Sequence, residues 1–135
     1  MPGCILRAFS STQKVRKFLA ATTFQPSKVY FRGEPGFPHK NIPTRRSGFN
    51  VEVTSRHLGA SLEKQCRAAV SFFRKHDREM RRLRAAKFEA LVLDFGLYDR
   101  ATEKHPWPTY TLSRALVEIA GKYGLVIELS FYGPE

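Results

Sequence analysis

The sequence predicts an α+β fold, with helices packed on one face of a mainly antiparallel sheet. Three observations carry this expectation. Between Phe49 and Thr54 the residues alternate at period two, with Phe49, Val51 and Val53 apolar and Asn50, Glu52 and Thr54 polar, as a half-buried strand requires. Between Ser61 and Lys87 the apolar residues Leu62, Cys66, Ala69, Val70, Phe73 and Met80 instead recur at three- and four-residue steps, the spacing of one buried helical face. Proline and glycine gather at 33–43 and at 106–108 and leave little room for regular structure there.

Taken in order, Cys4 to Phe9 is an apolar run broken only by Arg7, and reads as a first strand. Ser10, Ser11 and Thr12 are candidate helix caps, and Val15, Phe18 and Leu19 give a short amphipathic helix that Pro26 ends. Lys28 to Phe31 reads as a second strand and residues 32–48 as loop. The alternating run 49–54 is the third strand, and the 61–87 pattern predicts one long helix. Ala90 to Tyr98 contains the next strand, over Leu91–Leu97. Leu112 to Tyr123 is a third helix with Leu112, Ala115, Leu116, Ile119 and Ala120 inward, and Gly124 is placed to end it in a left-handed cap. Val126 to Tyr132 is the last strand. The order β-α-β-β-α-β, then α-β, is that of a ferredoxin-like split unit with an added helix and strand, in a single domain over 1–135.

Composition bounds the chemistry. A chain of 135 residues with 42% hydrophobic content and eleven Phe suits one domain with its own core rather than a disordered tail. The net charge of +11 is uneven. Residues 1–60 hold ten Lys and Arg against two acids, 61–87 nine against three, and 88–135 four against seven. A basic front and a mildly acidic end make a field that governs encounter and nonspecific binding, not fold. Cys4 and Cys66 form neither a disulfide framework nor a metal motif, so a reduced, cytoplasmic protein is expected. No apolar run approaches the ~20 residues of a membrane span. The acid-free first 30 residues share the composition of a transit peptide, but their apolar residues continue the pattern of the rest and read as a first strand and helix.

Four segments together resemble a known family: "VYFRGEP" at 29–35, "SGFNVEV" at 47–53, "LDFGLY" at 93–98 after the basic helix, and "GLVIELSFY" at 124–132. The chain, from Leu6 to Tyr132, resembles a bacterial family of small single-domain proteins catalogued as a domain of unknown function. The resemblance implies a bacterial origin and a compact α+β domain. It supplies no catalytic residues. Small domains of this kind often accompany polymorphic toxin systems as immunity proteins, an analogy of fold and size.

No metal or cofactor is expected. His39, His57, His76 and His105 share no ligand spacing with each other or with a cysteine pair. The "DFG" triplet at 94–96 lacks the glycine-rich and catalytic loops of a kinase, and neither a GxSxG elbow nor a phosphate-cradling loop occurs. Asp94 alternates away from Leu93 and Phe95, so an ion pair on the uncovered sheet face is expected, in a mixed-charge patch with Arg7, Glu52 and Glu128. What remains is binding. Lys64, Arg67, Arg74, Arg78 and Arg81 form a positive stripe on the long helix. Arg32, Arg45 and Arg46 add charge in the 32–48 loop beside Lys40, Phe37 and His39, while Trp107 and Tyr110 supply large amphipathic rings in the 99–111 loop, where Trp107 reads equally as an interface anchor or as a lid on the core end. The reading is a non-enzymatic module that binds a protein partner, such as a toxin with an acidic surface. The alternative is a nucleic-acid-associated module using the same helix and loop.

Overall fold

The structure is a computed structural model that describes residues 3–35, 44–54, 61–98, 103, 104, 106 and 108–132. In chain order the elements are β1 (Cys4–Ser10), α1 (Thr12–Ala21), β2 (Lys28–Tyr30), β3 (Ser47–Glu52), α2 (Leu62–Lys75), α3 (Asp77–Ala85), β4 (Ala90–Leu97), α4 (Arg114–Tyr123) and β5 (Val126–Phe131). The fold is α+β, a five-stranded open sheet with four helices among the described residues. The strands lie in the order β2-β3-β1-β4-β5; all neighbours are antiparallel except β4 and β5, which are parallel.

Register explains which side chains reach the core. Alternation puts Cys4, Leu6 and Ala8 of β1 on the same side as Phe49 and Val51 of β3 and Leu91, Leu93, Phe95 and Leu97 of β4. These residues form one buried cluster with Val15 and Phe18 of α1, Cys66, Ala69 and Phe73 of α2, Met80 and Leu83 of α3, and Leu116 and Ala120 of α4. Phe49 and Phe95 thus face the helices, and the helices share one face of the sheet. Ala115 and Ile119 pack against this cluster as the helical spacing required, while Leu112 reaches it from ahead of the Ser113 cap, since α4 begins at Arg114 and not at Leu112. Gly124 ends α4 at φ +69, a left-handed cap that costs glycine no Cβ clash.

Two expectations need correction. The 61–87 segment is not one helix: the backbone leaves helical geometry at His76 (φ −105, ψ 27), which caps both α2 and α3. The ladder still passes through the break, since the His76 N–H reaches the Phe72 carbonyl at 2.9 Å and the Met80 N–H reaches the His76 carbonyl at 3.0 Å. The turn brings the His76 ring onto Phe72, at 4.4 Å between centroids, and onto Phe24, at 5.5 Å. Ring packing with a distant segment outweighs one residue of helical geometry. The third strand also begins earlier than its alternation suggests, at Ser47, and closes at Glu52. Ser47 and Gly48 pair with Ser10 and Phe9 despite their low strand propensity, because β1 offers partners that far.

Candidate interaction surface

Lys64, Arg67, Arg74, Arg78 and Arg81 are all exposed. Their common direction follows from the opposite side of the same helices, where Leu62, Cys66, Ala69, Val70, Phe73, Met80 and Leu83 are buried. The Ser61 hydroxyl starts α2 by accepting the Lys64 N–H at 3.3 Å, an N-cap bond. Two stripe residues are already engaged. Arg67 pairs with Glu63 at 2.7 Å and Arg81 with Asp77 at 3.0 Å, both four residues apart. Lys64, Arg74, Lys75 and Arg78 have no ion pair among the described residues, and Lys75 joins the surface although the stripe spacing did not select it. At ~1.5 Å per residue, the row from Lys64 to Arg78 runs roughly 20 Å.

The platform under the stripe is fastened by buried and half-buried polar bonds. Glu79 of α3 is buried; it accepts the Thr22 hydroxyl at 2.6 Å, the Thr23 N–H at 3.3 Å and an Arg82 N–H at 2.7 Å. Burial pushes its carboxyl up, but those bonds outweigh burial and hold it below the usual range. Asp77 accepts the Tyr123 hydroxyl and pairs with Lys122 of α4 at 3.1 Å. Burial and then the Asp77 bond push the Tyr123 phenol up to about 12, while that same bond, with Lys122, holds the Asp77 carboxyl low.

The other candidate residues fall elsewhere. Arg32, Arg45 and Arg46 are exposed at the β2–β3 side of the sheet, where the Arg32 N–H reaches the Ser47 hydroxyl at 2.9 Å and the Arg46 guanidinium lies 5.4 Å from the Phe9 ring centre. Tyr110 belongs to the opposite edge. Its half-buried ring packs edge-on against Phe131 of β5 at 5.5 Å. With ~4.8 Å between neighbouring strands, those two edges stand roughly 19 Å apart. Tyr110 does meet one end of the stripe: with Leu62, Cys66, Arg67 and Ser113 it lines a groove of about 630 Å³. Trp107 lies outside the described residues, as do Phe37, His39, Lys40, His57 and His105.

On the sheet face away from the helices, Asp94 makes the expected ion pair, with Arg7 at 3.0 Å, and accepts the Ser130 hydroxyl at 2.6 Å. Glu128 stands beside Asp94 in register, and Glu52 is across β1. Ser130 was the member not anticipated, because the parallel register that delivers it is set by tertiary pairing. Among the described residues, no three His, Cys, Asp or Glu side chains converge as a metal site requires. Cys4 and Cys66 are free thiols whose pKa values burial raises, so both behave as small hydrophobes. No helix among the described residues is long and apolar enough to cross a membrane. Comparison with protein-family models, curated proteins and solved structures returns no match.

Proposed function

We propose that this chain is a non-enzymatic binding module that docks the acidic surface of a protein partner onto α2 and α3. The observation that carries the reading is the set Lys64, Arg74, Lys75 and Arg78: exposed, without ion pairs among the described residues, and mounted on helices whose other face is core. A rigid helical platform fixes the backbone under these cations in advance, so a partner has only their side chains to order. Tyr110 and the groove beside Arg67 give this surface an aromatic boundary at one end. An inhibitor or immunity role toward a bacterial toxin is the sharpest form of the proposal, and it rests on the likeness of segments 29–35, 47–53, 93–98 and 124–132 to a family of small bacterial domains. The framework is read as a ferredoxin-like core, which the antiparallel run β2-β3-β1-β4 supports, with β5 added beside β4. The free thiols suit a reducing cytoplasm.

The test is binding kinetics against the purified product of a toxin-like neighbouring gene. The triple variant Lys64→Glu, Arg74→Glu, Arg78→Glu should fold normally and associate about tenfold more slowly or worse, since charges at a rim act mainly on the on-rate. Unchanged kinetics in a folded variant would remove α2 and α3 from the interface. A second reading is favoured by the same unpaired row, whose length spans several phosphates of a nucleic-acid strand. Under it, an oligonucleotide panel should show affinity falling steeply with salt, and Arg74→Ala should reduce the slope by about one.

A further inference from the structure

We infer that the edge of β5, unpaired among the described residues, is a self-association surface that joins two copies of this chain into one continuous sheet. The two edges of the sheet are built differently. At one, β2 has three residues, carries Lys28 and follows Pro26, all features that discourage a further strand from pairing. At the other, β5 has six residues, Val126 to Phe131, without Lys, Arg, Pro or Gly, in unbroken register with β4 from Val92 opposite Val126 to Leu97 opposite Phe131. Its parity is set by the Tyr132 N–H, which reaches the Leu97 carbonyl at 2.8 Å. In a parallel pair this turns the even-numbered residues toward β4, so the N–H and C=O groups of Ile127, Leu129 and Phe131 face outward. Apolar side chains frame them: Val126 is 57% exposed, Phe131 58%, and Leu129 and Tyr132 36% each.

The strand's self-complementarity selects a second copy as the occupant, and charge selects where two copies meet. Two molecules of net charge +11 repel through most of their surfaces. The segment 88–135 is the only part of the chain where acids outnumber Lys and Arg, and the sole ionisable residue of β5 is Glu128. Two copies therefore meet with least repulsion here. Overlap of the six residues favours an axis at Glu128 or Leu129, and charge selects between them. An antiparallel pair with its two-fold axis at Leu129 sets Leu129 against its own copy, Ile127 against Phe131, Val126 against Tyr132 and Glu128 against Ser130. The outward-turned backbone groups then exchange hydrogen bonds in pairs. An axis at Glu128 would place two carboxylates directly opposite, which is unfavourable. The surface is one six-residue strand per copy, against ~20–30 residues a side in a standard interface, so the expected dissociation constant is micromolar rather than nanomolar. Because it forms against net repulsion, association should strengthen with salt.

The experiment is sedimentation of the full chain from about 1 μM to about 500 μM, a range that brackets micromolar affinity, at low and high salt. The expected result is an average mass that climbs from 15.5 kDa toward twice that value, further at high salt. Leu129→Lys, which sets two cations against each other on the axis, should remain monomeric throughout while keeping a cooperative melt. Mild oxidation of Leu129→Cys should give a disulfide-linked dimer, because a hydrogen-bonded antiparallel pair holds its Cα atoms ~5.5 Å apart, within disulfide reach. Glu128→Cys should link far more slowly, and the wild type not at all, since Cys4 and Cys66 are buried. A wild type that stays at 15.5 kDa across the range overturns the inference, as does a dimer indifferent to Leu129→Lys or a Glu128→Cys link as ready as that of Leu129→Cys. If Leu129→Lys fails to fold, the two cysteine variants still decide.

Discussion

Single side chains in this protein divide into those that fill volume and those that satisfy charge. Phe73 is wholly buried between Phe72 and Tyr123, so Phe73→Ala should cost about 3–5 kcal/mol in a denaturant titration. Glu79 does the second job, and its pH dependence has a definite sign. Its folded carboxyl titrates below the ordinary value of 4.5, so its stabilisation is complete above that value and is lost as pH falls through the lower folded one. Thr22→Val removes a hydrogen bond to that carboxylate together with the hydroxyl that accepts the Phe24 N–H at 3.0 Å. It should cost about 1.5–3 kcal/mol at pH 7 and weaken the acid sensitivity, as read by melts between pH 7 and 3. Phe73 could be picked out in the sequence because it sits on the only apolar stripe of its segment. The partners of Glu79 could not, because Thr22 and Thr23 lie nearly sixty residues away and meet it only after α1 and α3 dock.

Among the elements, strands were legible wherever alternation was clean, as in Phe49, Val51 and Val53. The division of α2 from α3 was not legible, since Phe73 and Met80 keep helical spacing straight through it. Only the fit of His76 against Phe24 and Phe72 marks the turn. That fit has a consequence for acidity. Burial, and then Lys75, hold the His76 ring below its ordinary 6.5 against an opposing pull from Glu79, so the folded protein prefers it neutral. Stability from this residue is complete above 6.5 and declines as pH falls below it, because the unfolded chain takes up the proton more readily. His76→Phe should keep the ring contacts and flatten the slope of stability between about pH 7 and pH 5. Strand β3 has its own constraint at Gly48, which pairs with Phe9 on one side and Tyr30 on the other. A Cβ there would collide with the Ala8 carbonyl and stand 2.9 Å from the Tyr30 hydroxyl. Gly48→Ala should therefore destabilise by at least about 1–3 kcal/mol in the same titration, as an overpacked site that must push its backbone aside.

For the whole molecule, the sequence exposed the charge and concealed its arrangement. The exposure of Lys64, Arg67, Arg74, Arg78 and Arg81 followed from helical spacing alone. Arg32, Arg45 and Arg46 stand at the opposite side of the sheet from Tyr110, because strand order, not chain order, sets neighbourhood. Nor could the spacing of β5 reveal that it lies at an edge. With +11 net charge and several cations lacking partners among the described residues, the fold carries self-repulsion that counterions relieve. Its melting temperature should rise as sodium chloride goes from about 10 mM to about 300 mM, over which the screening length shrinks from roughly 30 Å to below 10 Å. A flat or falling curve would mean that the stripe is compensated within the molecule.

The central position of β1 sets a timetable for folding. This strand pairs with β3 on one side and β4 on the other, and Arg7 meets Asp94 across a separation of 87 residues. During synthesis β1 leaves the ribosome before the other strands, and its second neighbour, β4, follows only after α1, β2, β3, α2 and α3 have been made. Until then Cys4, Leu6 and Ala8 lack half of their sheet, and the earlier segments can form the helices α1 to α3 and the β2-β3-β1 pairings without the strand that completes the core. Contacts so distant in sequence make for slow folding. Nascent chains arrested before Ala90 has emerged should be digested readily by protease, and those arrested after Phe131 has emerged should resist it.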